Sequence, residues 1–113
     1  MFFAVVIIAT TLASFAFTFA DDLKVTNVMT LEVKDYTVWK QSFDEAQPNR
    51  DKAGIEIMGI FSSVDNPNNI TVISEVPSLE IAKGYLNNPN LKASMEKAGV
   101  ISKPDVKILN KRQ

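Results

Sequence analysis

The chain contains no histidine and no cysteine, and its four glycines stand apart from one another. Without cysteine there is no disulfide, no thiol nucleophile and no acylated cysteine at the start of a mature exported chain. Without histidine the usual general base and a principal ligand for transition metals are missing. Isolated glycines exclude a glycine-rich phosphate loop. Charge is balanced, with 12 Lys and Arg against 13 Asp and Glu, a net of −1. That leaves no electrostatic footprint for nucleic acid, and the basic end Lys111-Arg112 reads as a solvated tail. No cofactor is expected from these residues.

Charge is also absent from one whole segment. Residues 1–20 carry no Lys, Arg, Asp or Glu and are dominated by Phe, Ala, Val and Ile. The segment ends Thr18-Phe19-Ala20, with small residues where a signal peptidase inspects, and Asp21-Asp22 follow. These features predict a secretory signal peptide over 1–20 and a mature domain over 21–113, periplasmic or secreted and free of the membrane after cleavage. An uncleaved anchor is the rival, because roughly 17–25 apolar residues can span a bilayer. The remaining domain, about ninety residues, is near the small end for a self-sufficient core.

From Asp22 to Val33 the sequence alternates, with Leu23, Val25, Met29, Leu31 and Val33 on one strand face and Asn27 interrupting them. Asp35 offers an N-cap for a helix to about Ala46, whose buried stripe is Tyr36, Trp39 and Phe43 at i, i+3, i+7. Residues 47–54 read as a polar break. Ile55 to Ser63 predicts a second strand, with Ile55, Ile57 and Phe61 on one face and Met58 and Ile60 on the other. Asp65-Asn66-Pro67-Asn68-Asn69 is turn chemistry, so Ile70 to Val76 should return antiparallel. Ser78 caps a helix carrying Leu79, Ala82 and Leu86. Asn88 and Pro89 restart a shorter one, which Gly99 ends. Pro104 leads into a last strand holding Val106 and Ile108. The order βαββαβ predicts an α+β, ferredoxin-like sandwich with a four-stranded antiparallel sheet. Apolar residues on both faces of the second and third strands call for a cover on each side. With no further helix in the chain, a second subunit is the expected cover, making a homodimer.

Several segments carry a resemblance. They are Val33-Lys34-Asp35-Tyr36-Thr37-Val38-Trp39-Lys40 with Phe43-Asp44 and Arg50, then Phe61-Ser62-Ser63-Val64-Asp65-Asn66-Pro67-Asn68, then Ser78-Leu79-Glu80 and Met95-Glu96-Lys97-Ala98-Gly99-Val100. Together they resemble small bacterial proteins of the dimeric α/β-barrel superfamily, near the antibiotic biosynthesis monooxygenase-like proteins. The resemblance implies a ferredoxin-like protomer whose sheet packs on that of a second subunit, with ligands between sheet and helices. Haem-binding members use a histidine this chain lacks, and no catalytic residue is carried over.

The expected pocket is lined by Trp39, Phe43 and Phe61, with Asn27 and Tyr36 as polar contacts. Asn27 is a polar amide on an apolar strand face, so it either bonds backbone across the core or projects into a wet pocket. Arg50, in the polar break, is expected to be solvated; the other reading is a cation at a pocket mouth. Glu75 and Tyr85 read as rim and core positions. Two functions follow as expectations. One is an exported, dimeric module that binds a small hydrophobic or aromatic molecule. The other is a cofactor-independent monooxygenase or isomerase acting on an aromatic substrate. A structural envelope subunit is the third, plainer possibility.

Overall fold

The computed structural model describes residues 23–113. The expected leader, 1–20, lies outside them, and among the described residues no helix is long and apolar enough to cross a membrane. The elements follow the order β1 (Val25–Glu32), α1 (Tyr36–Glu45), α2 (Gln47–Ala53), β2 (Glu56–Ser62), β3 (Asn69–Val76), α3 (Leu79–Leu86), α4 (Pro89–Lys97) and β4 (Asp105–Leu109). The strands form one antiparallel sheet in the order β2-β3-β1-β4. This is the ferredoxin-like α+β arrangement that the element order predicts.

Strict alternation in the two central strands decides which face meets the helices. Val25, Asn27, Met29 and Leu31 of β1 are buried, and so are Ile70, Val72, Ser74 and Val76 of β3. The register sets Val25 opposite Val76, Asn27 opposite Ser74, Met29 opposite Val72 and Leu31 opposite Ile70, so both sets share one face. Two apolar clusters grow from it. One gathers Met29, Leu31, Val33, Ile70 and Val72 with Trp39 and Ala98; the other joins Val25 and Val76 with Ile55 and Ala82. The polar pair Asn27–Ser74 lies between Met29–Val72 and Val25–Val76, on the row that separates the two.

Strand β2 departs from simple alternation. A bulge falls between Ile57, opposite Ser74, and Gly59, opposite Ile73, so the period-2 phase advances by one at Met58. Ile60 therefore joins Ile57 on the helix side, and Phe61 turns to the outer face with Gly59. The Phe61 ring lies over Gly59, where an added Cβ would come within 2.7 Å of it. The sequence pattern alone put Phe61 with Ile57; the inserted residue is the reason it is not there.

Capping fixes the helices. Asp35, in extended conformation, accepts from Thr37 N at 2.8 Å and Val38 N at 3.3 Å. Ser78 accepts from Ile81 N at 3.2 Å, and Asn88 from Asn90 N at 2.9 Å. The polar break at 47–54 is itself a helix, α2. Pro48 suits its first turn, and Gly54 takes the left-handed conformation (φ 73°) that ends it.

Candidate functional site

A cleft of about 380 Å³ opens between the helix layer and the sheet, within the range of about 300–1,000 Å³ usual for small-molecule sites. Its floor comes from alternate residues of β1 and β3, including Asn27, Met29, Ser74 and Val72. One wall is Trp39 and Phe43 of α1 with Arg50 of α2; the opposite wall is Ala82, Tyr85 and Leu86 of α3 with Leu91 and Met95 of α4.

The turn between β2 and β3 orients the aromatic wall. Asn68 Oδ1 accepts from Tyr36 N at 3.1 Å, Asn68 Nδ2 donates to Lys34 O at 3.3 Å, and Val33 N donates to Asn68 O at 3.0 Å. With Asp35 as cap, these bonds set the first turn of α1, and helical spacing then aims Trp39 and Phe43 at the sheet. Trp39 is 4% exposed. Its ring centroid lies 5.9 Å from that of Tyr36 and 4.9 Å from that of Phe43, both pairs tilted, within the usual range for interacting rings.

Arg50 is the least expected member. It is 4% exposed, on a helix that has no apolar stripe. Its Nη2 donates to Phe43 O at 2.5 Å and to Gln47 Oε1 at 3.0 Å, and Cζ sits 3.8 Å from the centre of the Phe43 ring. All three partners are neutral. Arg50 has no carboxylate partner among the described residues, whose ion pairs are Lys24–Glu75 and Lys40–Asp44. Its Nε is buried without a hydrogen-bond partner, and so is Oδ1 of Asn27. Such an orphaned polar atom costs about 1–3 kcal/mol. Both orphans belong to residues lining this one cleft. The sequence held one usable signal for Arg50, the break between two strands that it occupies, but burial cannot be read from a helix whose neighbours are all polar.

Of the five residues expected at a pocket, the structure brings Asn27, Trp39 and Phe43 together in the cleft. Tyr36 and Phe61 meet instead at a shallower depression of about 140 Å³ with Ile60, Ser62 and Pro67. Phe61, 55% exposed, is separated from the cleft by the phase change at the bulge. Arg50, Ser74 and the α3–α4 residues complete the lining and are absent from the expected set.

No protein-family model matches this sequence, and no curated protein matches it. Solved structures do resemble it. A conserved protein from Methanosarcina mazei Go1 superposes with a TM-score of 0.62 at 15% identity, over 84% of this chain and 99% of its own. A Bordetella bronchiseptica protein assigned as an antibiotic biosynthesis monooxygenase gives 0.66 at 11% identity, over 80% and 99%. SnoaB, a cofactor-independent oxygenase from Streptomyces nogalater, gives 0.61 at 14% identity, over 80% and 95%. At such identities the likeness is one of fold. The chain therefore has the ferredoxin-like fold of the antibiotic biosynthesis monooxygenase-like proteins.

Proposed function

We propose that this protein is an exported homodimer that binds a small hydrophobic or aromatic molecule in the cleft between its helices and its sheet. The observation that carries the reading is the cleft itself, whose apolar and aromatic walls are joined by Asn27 and Arg50, each with a buried polar atom that has no partner. Sites for small molecules combine an apolar lining with a few placed polar groups in this way. The dimer is supported by the outer face of the sheet. Val28, Ile73, Phe61 and Leu109 share that face, with Phe61 55% and Leu109 46% exposed and, among the described residues, no helix above them. Export is supported by the uncharged segment 1–20.

Binding is tested with a panel of fused-ring aromatics read through Trp39, the single tryptophan. Saturable quenching supports the reading, and no response from any ring system contradicts it. Light scattering at micromolar concentration tests the dimer; a cooperatively folded monomer would contradict it. Intact mass after expression with the leader tests cleavage before Asp21.

The likeness to SnoaB favours a second reading, cofactor-independent oxygenation of the bound aromatic. In that chemistry the electrons come from the substrate itself. A ring CH₂ reacting with O₂ yields a carbonyl and one water. Oxygen uptake with a bound ring compound, in buffer free of metal and flavin, separates turnover from binding alone.

A further inference from the structure

We propose that the cleft selects ring compounds carrying a single carboxylate, with Arg50 as the group that reads the charge. The inference rests on the cleft being a small-molecule site, and adds the ligand's chemical class to it.

The argument begins with the state of the guanidinium. This positively charged side chain is 4% exposed, and the partners on its Nη2 are a backbone carbonyl and a side-chain amide. Stacking on Phe43 fixes the plane of the group but does not neutralise it. Buried charges are ordinarily paired, because desolvation is otherwise uncompensated. Here the positive charge belongs to a residue in the wall of a cleft, and its Nε is buried without a partner. A ligand oxyanion would supply both the countercharge and the acceptor.

Two other charged residues line the cleft, Glu45 and Lys97. Both are exposed and of opposite sign, so solvent screens them. Arg50 remains the buried charge. One guanidinium matches one negative charge, and walls of Trp39, Phe43, Leu86 and Met95 match a ring system. Asn27 Oδ1, orphaned in the floor of the same cleft, is an independent sign that a ligand completes the site.

The test pairs 2-naphthoate with its neutral counterpart 2-naphthamide, both titrated calorimetrically into the full wild-type protein at neutral pH. The carboxylate should bind tighter by about tenfold or more, the usual advantage of a charge-assisted contact. In Arg50→Gln the preference for naphthoate over the amide should be lost. Equal affinities in the wild type would overturn the charge reading and leave the cleft as a neutral aromatic site. Binding of neither compound would overturn both. Retained preference for naphthoate in a folded Arg50→Gln protein would also overturn the role of Arg50. The wild-type comparison needs no variant, so it decides the question even if Arg50→Gln does not fold.

Discussion

The two βαβ halves of the fold share an order of elements but not a content. The first half lays Tyr36, Trp39 and Phe43 along α1 and adds the buried Arg50 from α2. The second half presents Ala82, Leu86, Leu91 and Met95 from α3 and α4 and Ala98 from the cap that follows, among which Ala82 and Ala98 alone are buried. Large rings near the sheet on one side, and small or half-buried residues with Tyr85 as their one ring on the other, leave space between the helix layer and the sheet. The difference teaches that a pseudo-symmetric fold makes a cleft by filling its two halves unequally. Trp39, Phe43 and Arg50 sit on the fuller side, and a mainly aliphatic wall with Tyr85 on the leaner one.

Truncation should reveal the inequality most strongly in the wall residues. Trp39→Ala removes a buried ring from the larger cluster and should cost about 3–5 kcal/mol, a large part of a total of about 5–15. Leu86→Ala, at a half-buried position of α3, should cost about 1–2 kcal/mol. Urea unfolding followed by circular dichroism measures both; equal losses would break the comparison.

The helix starts give a smaller contrast. Asp35 serves two amides and Ser78 one. Asp35→Ala should therefore lower stability by about 1 kcal/mol and Ser78→Ala by about 0.5 kcal/mol. The same unfolding curves read these changes. Reversal of the order would show that the second half depends on its cap more than the geometry allows.

How much of this was legible in the sequence follows from which physical signals are local. Alternation in β1 and β3, the caps Asp35, Ser78 and Asn88, and the aromatic stripe at i, i+3, i+7 all act through near neighbours. They predicted the sheet, every helix but α2, and three residues that line the cleft. Phe61 was misplaced because the bulge at Met58 is set by pairing with β3, and nothing in Glu56–Ser62 shows the extra residue. Arg50 was read as solvated because Gln47–Ala53 has the composition of a loop. Its burial arises from contact with the carbonyl and ring of Phe43, seven residues back on another helix. The leaner second half was legible only in part, since small residues on a helix face do not say whether the space above them is filled.

The smallest effect lies on the surface of the first half. Lys40 and Asp44 form an i,i+4 pair at 2.7 Å, with side chains 35% and 60% exposed. Lys40→Ala should change stability by no more than about 0.5 kcal/mol and leave ligand binding unaltered. A larger loss would mean that the outer surface of α1, rather than its aromatic stripe, holds the helix in place.

The central claim is that the fuller half recognises a ligand in the cleft. Its most direct measurement is a nuclear magnetic resonance titration of the isotope-labelled protein with 2-naphthoate. The account predicts that the largest shifts fall on the side-chain signals of Trp39 Nε1–H, Arg50 Nε–H and the Asn27 amide, with smaller ones on Ala82 and Leu86 across the cleft. Shifts confined to the outer face at Val28, Ile73 and Phe61, or no shifts at saturating ligand, would contradict it.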